Sequence, residues 1–174
     1  MSTPDTADLR TGVPIHDALL ALLPLVGVWT GAGSGVAPDG DEFSFGQQIR
    51  FVHDGRPFLA YESRAWLVDE HGTVIRQAWR ESGFWRLGAG PDDVEVVLAS
   101  NTGEALVYLG VAGDQRWEIA TVSAQATPSA KVVDAERRLY ALVDDALVYA
   151  AELAPHGRPL APHLNARLTR VRTS

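Results

Sequence analysis

The chain has 174 residues, 46% hydrophobic and 21% charged, which suits a single globular domain with a sizeable core. A formal charge of −7, with basic residues scattered in short pairs such as Arg137-Arg138, argues against nucleic acid as a partner, because duplex affinity rests on phosphate neutralisation. The absence of cysteine excludes disulfides, thiolate nucleophiles and cysteine-held metals, and Met1 is the only methionine.

Residues 1–14, "MSTPDTADLRTGVP", are polar and lack the basic-then-apolar layout of a signal peptide. No stretch reaches the roughly 20 apolar residues that span a bilayer. The expectation is a flexible leader on a cytoplasmic protein with no membrane partner, followed by one domain over 15–174. "IHDALLALLPLVG" predicts one or two helical turns that end near Pro24. Next comes "LVGVWTGAGSG", with four glycines between Gly27 and Gly35 around Trp29. Two readings fit it: a bend where strands pack closely, or a signature at the mouth of a ligand-binding barrel.

Beyond it, glycine and aspartate turns recur at short intervals, among them "PDGD", "HDGR", "DEHG", "NTG", "VDDA" and "PHGRP". Runs rich in valine, leucine, tyrosine and tryptophan separate them. The pattern predicts an all-β fold of about ten strands. They fall near 26–33, 43–53, 57–68, 73–87, 93–100, 103–112, 115–123, 132–143, 146–154 and 163–172. Short connections make neighbours antiparallel. In "FLAYESRAWLV" one face reads Phe58, Ala60, Glu62, Arg64, Trp66, Val68, mixing charge with aromatics. This is either an exposed face with snorkelling stems or a barrel lumen with polar groups for a small ligand.

Five histidines are present. His53, His71 and His156 each adjoin a glycine turn and read as exposed. His16 is read as part of the leader. His163, in "PLAPHLNARLTRV", opens the last strand after Pro162. By alternation His163 shares a face with Asn165 and Arg167, opposite Leu164, Ala166 and Leu168. It points inward only if the polar face lines the lumen or a bulge resets the register. No nucleophile elbow, His-Glu-x-x-His spacing or phosphate loop is present, and "GAGSG" lacks the full dinucleotide-loop spacing.

Four segments together carry a resemblance: "GVWTGAG", "FSFGQQIRFVHDGRPFLAY", "RESGFWR" and "RPLAPHLNARL". In this order they resemble the nitrobindins, small haem proteins with a closed barrel like that of lipocalins and fatty-acid-binding proteins. The likeness runs over roughly 19–172. It implies that Gly27, Trp29, Gly31 and Gly33 are the family hallmark, with Trp29 plugging one barrel end. It implies one haem b per chain, with His163 as axial iron ligand and Lys131 meeting a haem propionate. The chemistry implied is reversible binding of nitric oxide by ferric iron and isomerisation of peroxynitrite to nitrate, in a monomer or homodimer. Two positions depart from the family pattern. Trp79 stands where many relatives carry histidine, and Asp39 where threonine is common. Both are candidate pocket residues, and an Asp39 carboxylate near the propionates would weaken haem binding. The alternative reading is a haem-free barrel for a small apolar ligand such as a fatty acid, with Arg64 or Arg80 meeting its carboxylate.

Overall fold

In the computed structural model, which describes residues 5–172, ten antiparallel strands close into a barrel. They are β1 (Gly27–Val36), β2 (Glu42–Val52), β3 (Leu59–Val68), β4 (Val74–Leu87) and β5 (Asp93–Ser100). The second half comprises β6 (Glu104–Gly113), β7 (Arg116–Ala126), β8 (Val133–Val143), β9 (Ala146–Pro155) and β10 (Ala161–Arg170). Each strand pairs with its sequence neighbours, and β1 pairs with β10 to close the wall. This is the expected architecture, with strand ends shifted by a few residues.

An up-and-down barrel sends alternate connections to opposite ends. The connections 37–41, 69–73, 101–103, 127–132 and 156–160 lie at one end, called here the mouth. The opposite end, the base, is covered by a 3₁₀ helix over Asp17–Leu25. The helix runs longer than the expected one or two turns and keeps Pro24 inside it. Three residues per turn eclipse positions i and i+3. Leu19, Leu22 and Leu25 therefore form one line, and all three are fully buried against the barrel. His16 caps the helix, its Nδ1 accepting from the Ala18 amide at 3.1 Å. Two indoles pin the helix from inside. Trp117 Nε1 donates to Ala21 O and Trp29 Nε1 to Leu25 O, each at 2.8 Å. Arg170 lies over the Trp29 ring and donates to Pro24 O and Val26 O at the helix end. Trp29 is thus a plug at the base, and its role is packing.

The glycines of the hallmark explain the seam. Added Cβ atoms at Gly31 and Gly33 would run into the carbonyl oxygens of Arg167 and Asn165 on β10. Only glycine lets β1 approach β10 this closely.

One expectation for the N-terminal part needs correction. His53, read as an exposed turn residue, is 1% exposed. The cause is the segment read as a leader: Thr6 N–H donates to His53 O at 2.8 Å and His53 N–H to Thr6 O at 3.0 Å. Thr6 therefore lies over the turn, while residues 1–4 and 173–174 lie outside the described residues. Both His53 ring nitrogens are buried without a hydrogen-bond partner among the described residues. Burial holds the imidazole below its ordinary pKa, and the Asp54 carboxylate opposes this weakly.

A histidine held neutral when folded takes up a proton more readily when unfolded. Folding stability is then lost as pH falls below the unfolded value of about 6.5. The His53→Leu variant is expected to lose less stability than wild type between about pH 7 and pH 5. Urea unfolding at several pH values measures this. Parallel stability–pH profiles would show that His53 titrates as a free histidine does.

Candidate functional site

The site is built at the mouth. The β10–β9 register shifts between Pro162 and Leu164, so His163 sits at a bulge. This meets the condition under which the histidine can share the inner side with Leu164, Ala166 and Leu168. His163 is half-buried, and its ring lies 6.3 Å from that of Phe43. Its Nδ1 is 2.8 Å from Val36 O, which can only accept, so Nδ1 carries the proton. The Nε2 lone pair is then free for an electrophile or a metal.

A second register shift, between Arg64 and Trp66 on β3, sets Ala78 and Trp79 opposite Ala65. Trp79 faces inward and packs edge-on to Phe45 at 4.9 Å and to Phe43 at 6.4 Å. An aromatic cluster therefore lines the lumen beside His163. His163 borders three spaces: one of about 300 Å3 between the 37–41 turn and Arg158, and two that it shares with Leu164. One of the shared two is an outer cleft of about 650 Å3 with Phe43, Leu67 and Glu42 in its walls. The other is a lumen cavity of about 250 Å3 walled by Trp79, Leu106 and Leu153.

The cavity's floor is charged. Arg138, which is 8% exposed, donates from Nη1 and Nη2 to the two Glu81 oxygens at 2.6 and 2.9 Å. Its Nε reaches Glu136 at 2.5 Å. Tyr61 donates to Glu81 at 2.7 Å and Tyr108 to Glu136 at 2.9 Å. Deeper in the lumen, Tyr149 donates to Gln47 Oε1 and Gln47 Nε2 to Ser63 Oγ, at 2.7 and 2.9 Å. Burial works against ionised Glu81, yet the charge and hydrogen bonds of Arg138, with the Tyr61 hydroxyl, hold its carboxyl below the usual range. Burial pushes Tyr61, Tyr108, Tyr140 and Tyr149 up, so all four stay neutral donors near pH 7. Sequence reading missed this floor. Its signal was the alternation of Glu136, Arg138 and Tyr140 on one face of β8.

The remaining candidates divide. Lys131, the only lysine of the chain, is exposed on the 127–132 connection. It has no ion-pair partner among the described residues, and Val133, two residues on, lines the cavity. Asp39 is exposed in the 37–41 turn, where its Oδ1 accepts from the Asp41 amide at 3.1 Å. Asp39 lines none of the three spaces beside His163, although its neighbours Pro38 and Gly40 line one of them. Arg64 and Arg80 lie on the outer wall, both paired with Glu62, and do not reach the lumen. His71 and His156 are exposed on mouth turns, as read from the sequence.

A haem fits the donor set and the space. The free imidazole nitrogen supplies an axial ligand of the type haem iron takes. The cleft falls within the roughly 300–1,000 Å3 of small-molecule and cofactor sites. Phe43, Leu67, Val36 and Leu164 give it an apolar side next to His163, and Glu42, Asp69 and Glu70 stand on its outer wall. Trp79 occupies lumen volume on one side.

The floor sets a stability test. Arg138→Leu leaves Glu81 and Glu136 buried without a cation, a loss of about 3–5 kcal/mol. Denaturant unfolding at pH 7 measures it. The variant should recover stability on mild acidification, as the two carboxyls neutralise. A loss under about 1 kcal/mol would show the floor to be well hydrated.

Comparison with known proteins agrees with this geometry. The domain family described as "THAP4-like, heme-binding beta-barrel domain" matches residues 18–170. The chain is 48% identical over 171 residues to the peroxynitrite isomerase of Salinispora arenicola, covering 96% of this chain and 87% of that one. It is 42% identical to peroxynitrite isomerase 1 of Mycobacterium ulcerans, covering 95% and 90%. The crystal structure of Rv2717c from M. tuberculosis superposes with a TM-score of 0.80 at 33% identity, covering 91% of this chain and 99% of that one. With its ten-stranded barrel, its imidazole at the mouth and these matches, the chain belongs to the THAP4-like haem-binding β-barrel family, the nitrobindins.

Proposed function

We propose that this protein is a haem-dependent peroxynitrite isomerase that also binds nitric oxide, with His163 as the axial ligand of haem b. The observation that carries the reading is the bulge at Pro162–Leu164 together with the bond from His163 Nδ1 to Val36 O. When bound, the ferric haem supplies the Lewis-acid centre for isomerising peroxynitrite to nitrate and for binding nitric oxide.

The chain's own residues supply orientation and exclusion. Val36 O fixes the His163 tautomer and keeps Nε2 unprotonated. Lys131 supplies a cation for a haem carboxylate at the rim. Phe43, Phe45 and Trp79 keep the inner side of the site apolar and poor in water. The charges on the floor are locked to one another through Arg138, so Glu81 has no proton to give near pH 7. The isomerisation needs no proton donor, because substrate and product differ only in connectivity.

The fatty-acid reading has no observation in its favour. Arg64 and Arg80 face outward, and Arg138, the buried arginine, is already neutralised by Glu81 and Glu136.

Titration of the purified chain with hemin is expected to give a saturable Soret band with one haem per chain. His163→Ala should abolish the band or shift it strongly, and Lys131→Ala should weaken binding several-fold, on the scale of one exposed ion pair. Wild type loaded with haem should then speed peroxynitrite decay with nitrate as product. An unchanged band in His163→Ala would remove His163 from the iron.

A further inference from the structure

The β1–β10 ladder ends at the pair Gly35–Leu164. Val36 and His163, one residue further out on each strand, lie beyond its last rung. Ladder ends fray, with opening free energies that approach zero. The bond that aims His163 therefore forms past the last backbone rung of the β1–β10 seam, although Val36 still pairs with Glu42 on β2. Pro159 and Pro162 have no N–H to offer toward β1, and the stretch entering β10 is paired on its other side alone, with β9 at Ala161–Leu153 and Pro162–Glu152.

A second bond runs across the same gap. Arg158 Nη1 donates to Pro38 O at 2.8 Å. Pro38 follows Val36 by two residues on the 37–41 turn, and Arg158 precedes His163 on the 156–160 connection. The two bonds, His163 to Val36 and Arg158 to Pro38, continue the ladder with side chains where the backbone stops. The other flank of the connection is also anchored. The Asp134 carboxylate accepts from Gly157 N–H at 2.8 Å and lies 3.0 Å from His156 Nδ1. The 156–160 connection is thus suspended between β8 and the 37–41 turn, with Arg158 as its tie to the side that carries Val36.

We propose that Arg158 is a positioning residue for His163: its tie to Pro38 holds the two connections together, so that the His163–Val36 bond persists and the imidazole stays aimed. The proposal rests on His163 being the axial ligand. A guanidinium donating to a carbonyl is a charge-assisted bond, stronger than a neutral one, and exposure moderates it. The expected effect is accordingly modest in size and specific in kind.

The test uses the full chain loaded with hemin, as wild type, Arg158→Ala, Arg158→Lys and His163→Ala. Three quantities are read: the rate of haem loss to an acceptor apoprotein, the ferric absorption spectrum, and the melting midpoint without haem. Arg158→Ala should lose haem roughly fivefold faster, the scale of one hydrogen bond. Its ferric spectrum should show a mixed or weakened axial ligation, with the haem-free melting midpoint unchanged. Arg158→Lys should recover part of the effect. If Arg158→Ala matches wild type while His163→Ala loses the haem, the positioning role is overturned and the axial assignment stands. If His163→Ala keeps the wild-type spectrum, the axial assignment fails and the positioning role with it. A repeat with haem dimethyl ester separates one rival. An Arg158→Ala effect that vanishes with the ester makes Arg158 a partner of a haem carboxylate and overturns the positioning role.

Discussion

The close approach of β1 to β10 is the constraint on which the rest of the structure depends. Ten strands make a barrel only if the first and last pair, and here they pair through glycines whose missing side chains make room for the β10 backbone. The same seam sets the position of His163 at the mouth. It also brings Arg170 to the helix end at the base, where the guanidinium stacks on Trp29 and takes up carbonyls that the helix leaves unpaired. One strand pair therefore carries both the plug and the candidate ligand.

The lumen divides into regions by chemistry. Trp29, Trp85, Trp117, Phe51 and the helix leucines make a dry base. In the middle, a guanidinium, two carboxylates and tyrosine hydroxyls saturate one another. At the mouth, one imidazole nitrogen stays free beside the aromatic cluster of Phe43, Phe45 and Trp79, with Glu42, Asp69 and Glu70 on the outer wall of the cleft. A flat, apolar ligand with polar groups at one edge would suit this order. The charged layer beneath is closed to it, because every strong donor and acceptor there already has a partner.

Much of the fold was legible because its signals are local. Turn residues and β-rich runs marked the ten strands, and the leucine spacing of "DALLALLPL" marked a helical segment. The candidate ligand was legible through the resemblance of "RPLAPHLNARL" to the nitrobindins, while composition alone narrowed the iron ligands only to histidine or tyrosine. Its direction was not. Simple alternation places His163 with Asn165 and Arg167 on the outer face, and a single bulge reverses that. Arg64 and Arg138 make the converse case. Both are arginines in strands with mixed faces, yet one pairs with Glu62 outside and the other with Glu81 inside. His53 looked exposed because its own turn is polar, and it is buried because Thr6, far along the chain, pairs over it.

The sequence by itself determined the number and order of the strands, the helix before them, the glycine seam and the supply of an imidazole near the C-terminus. Propensity, turn chemistry and alternation act over a few residues, so they can be read along the chain. The tertiary structure decided which face of β10 His163 joins, which arginine is buried with carboxylates, and where Asp39 and Lys131 stand relative to the cavity. These depend on register between strands distant in sequence. A shift of one residue in that register exchanges the inside of a strand for its outside.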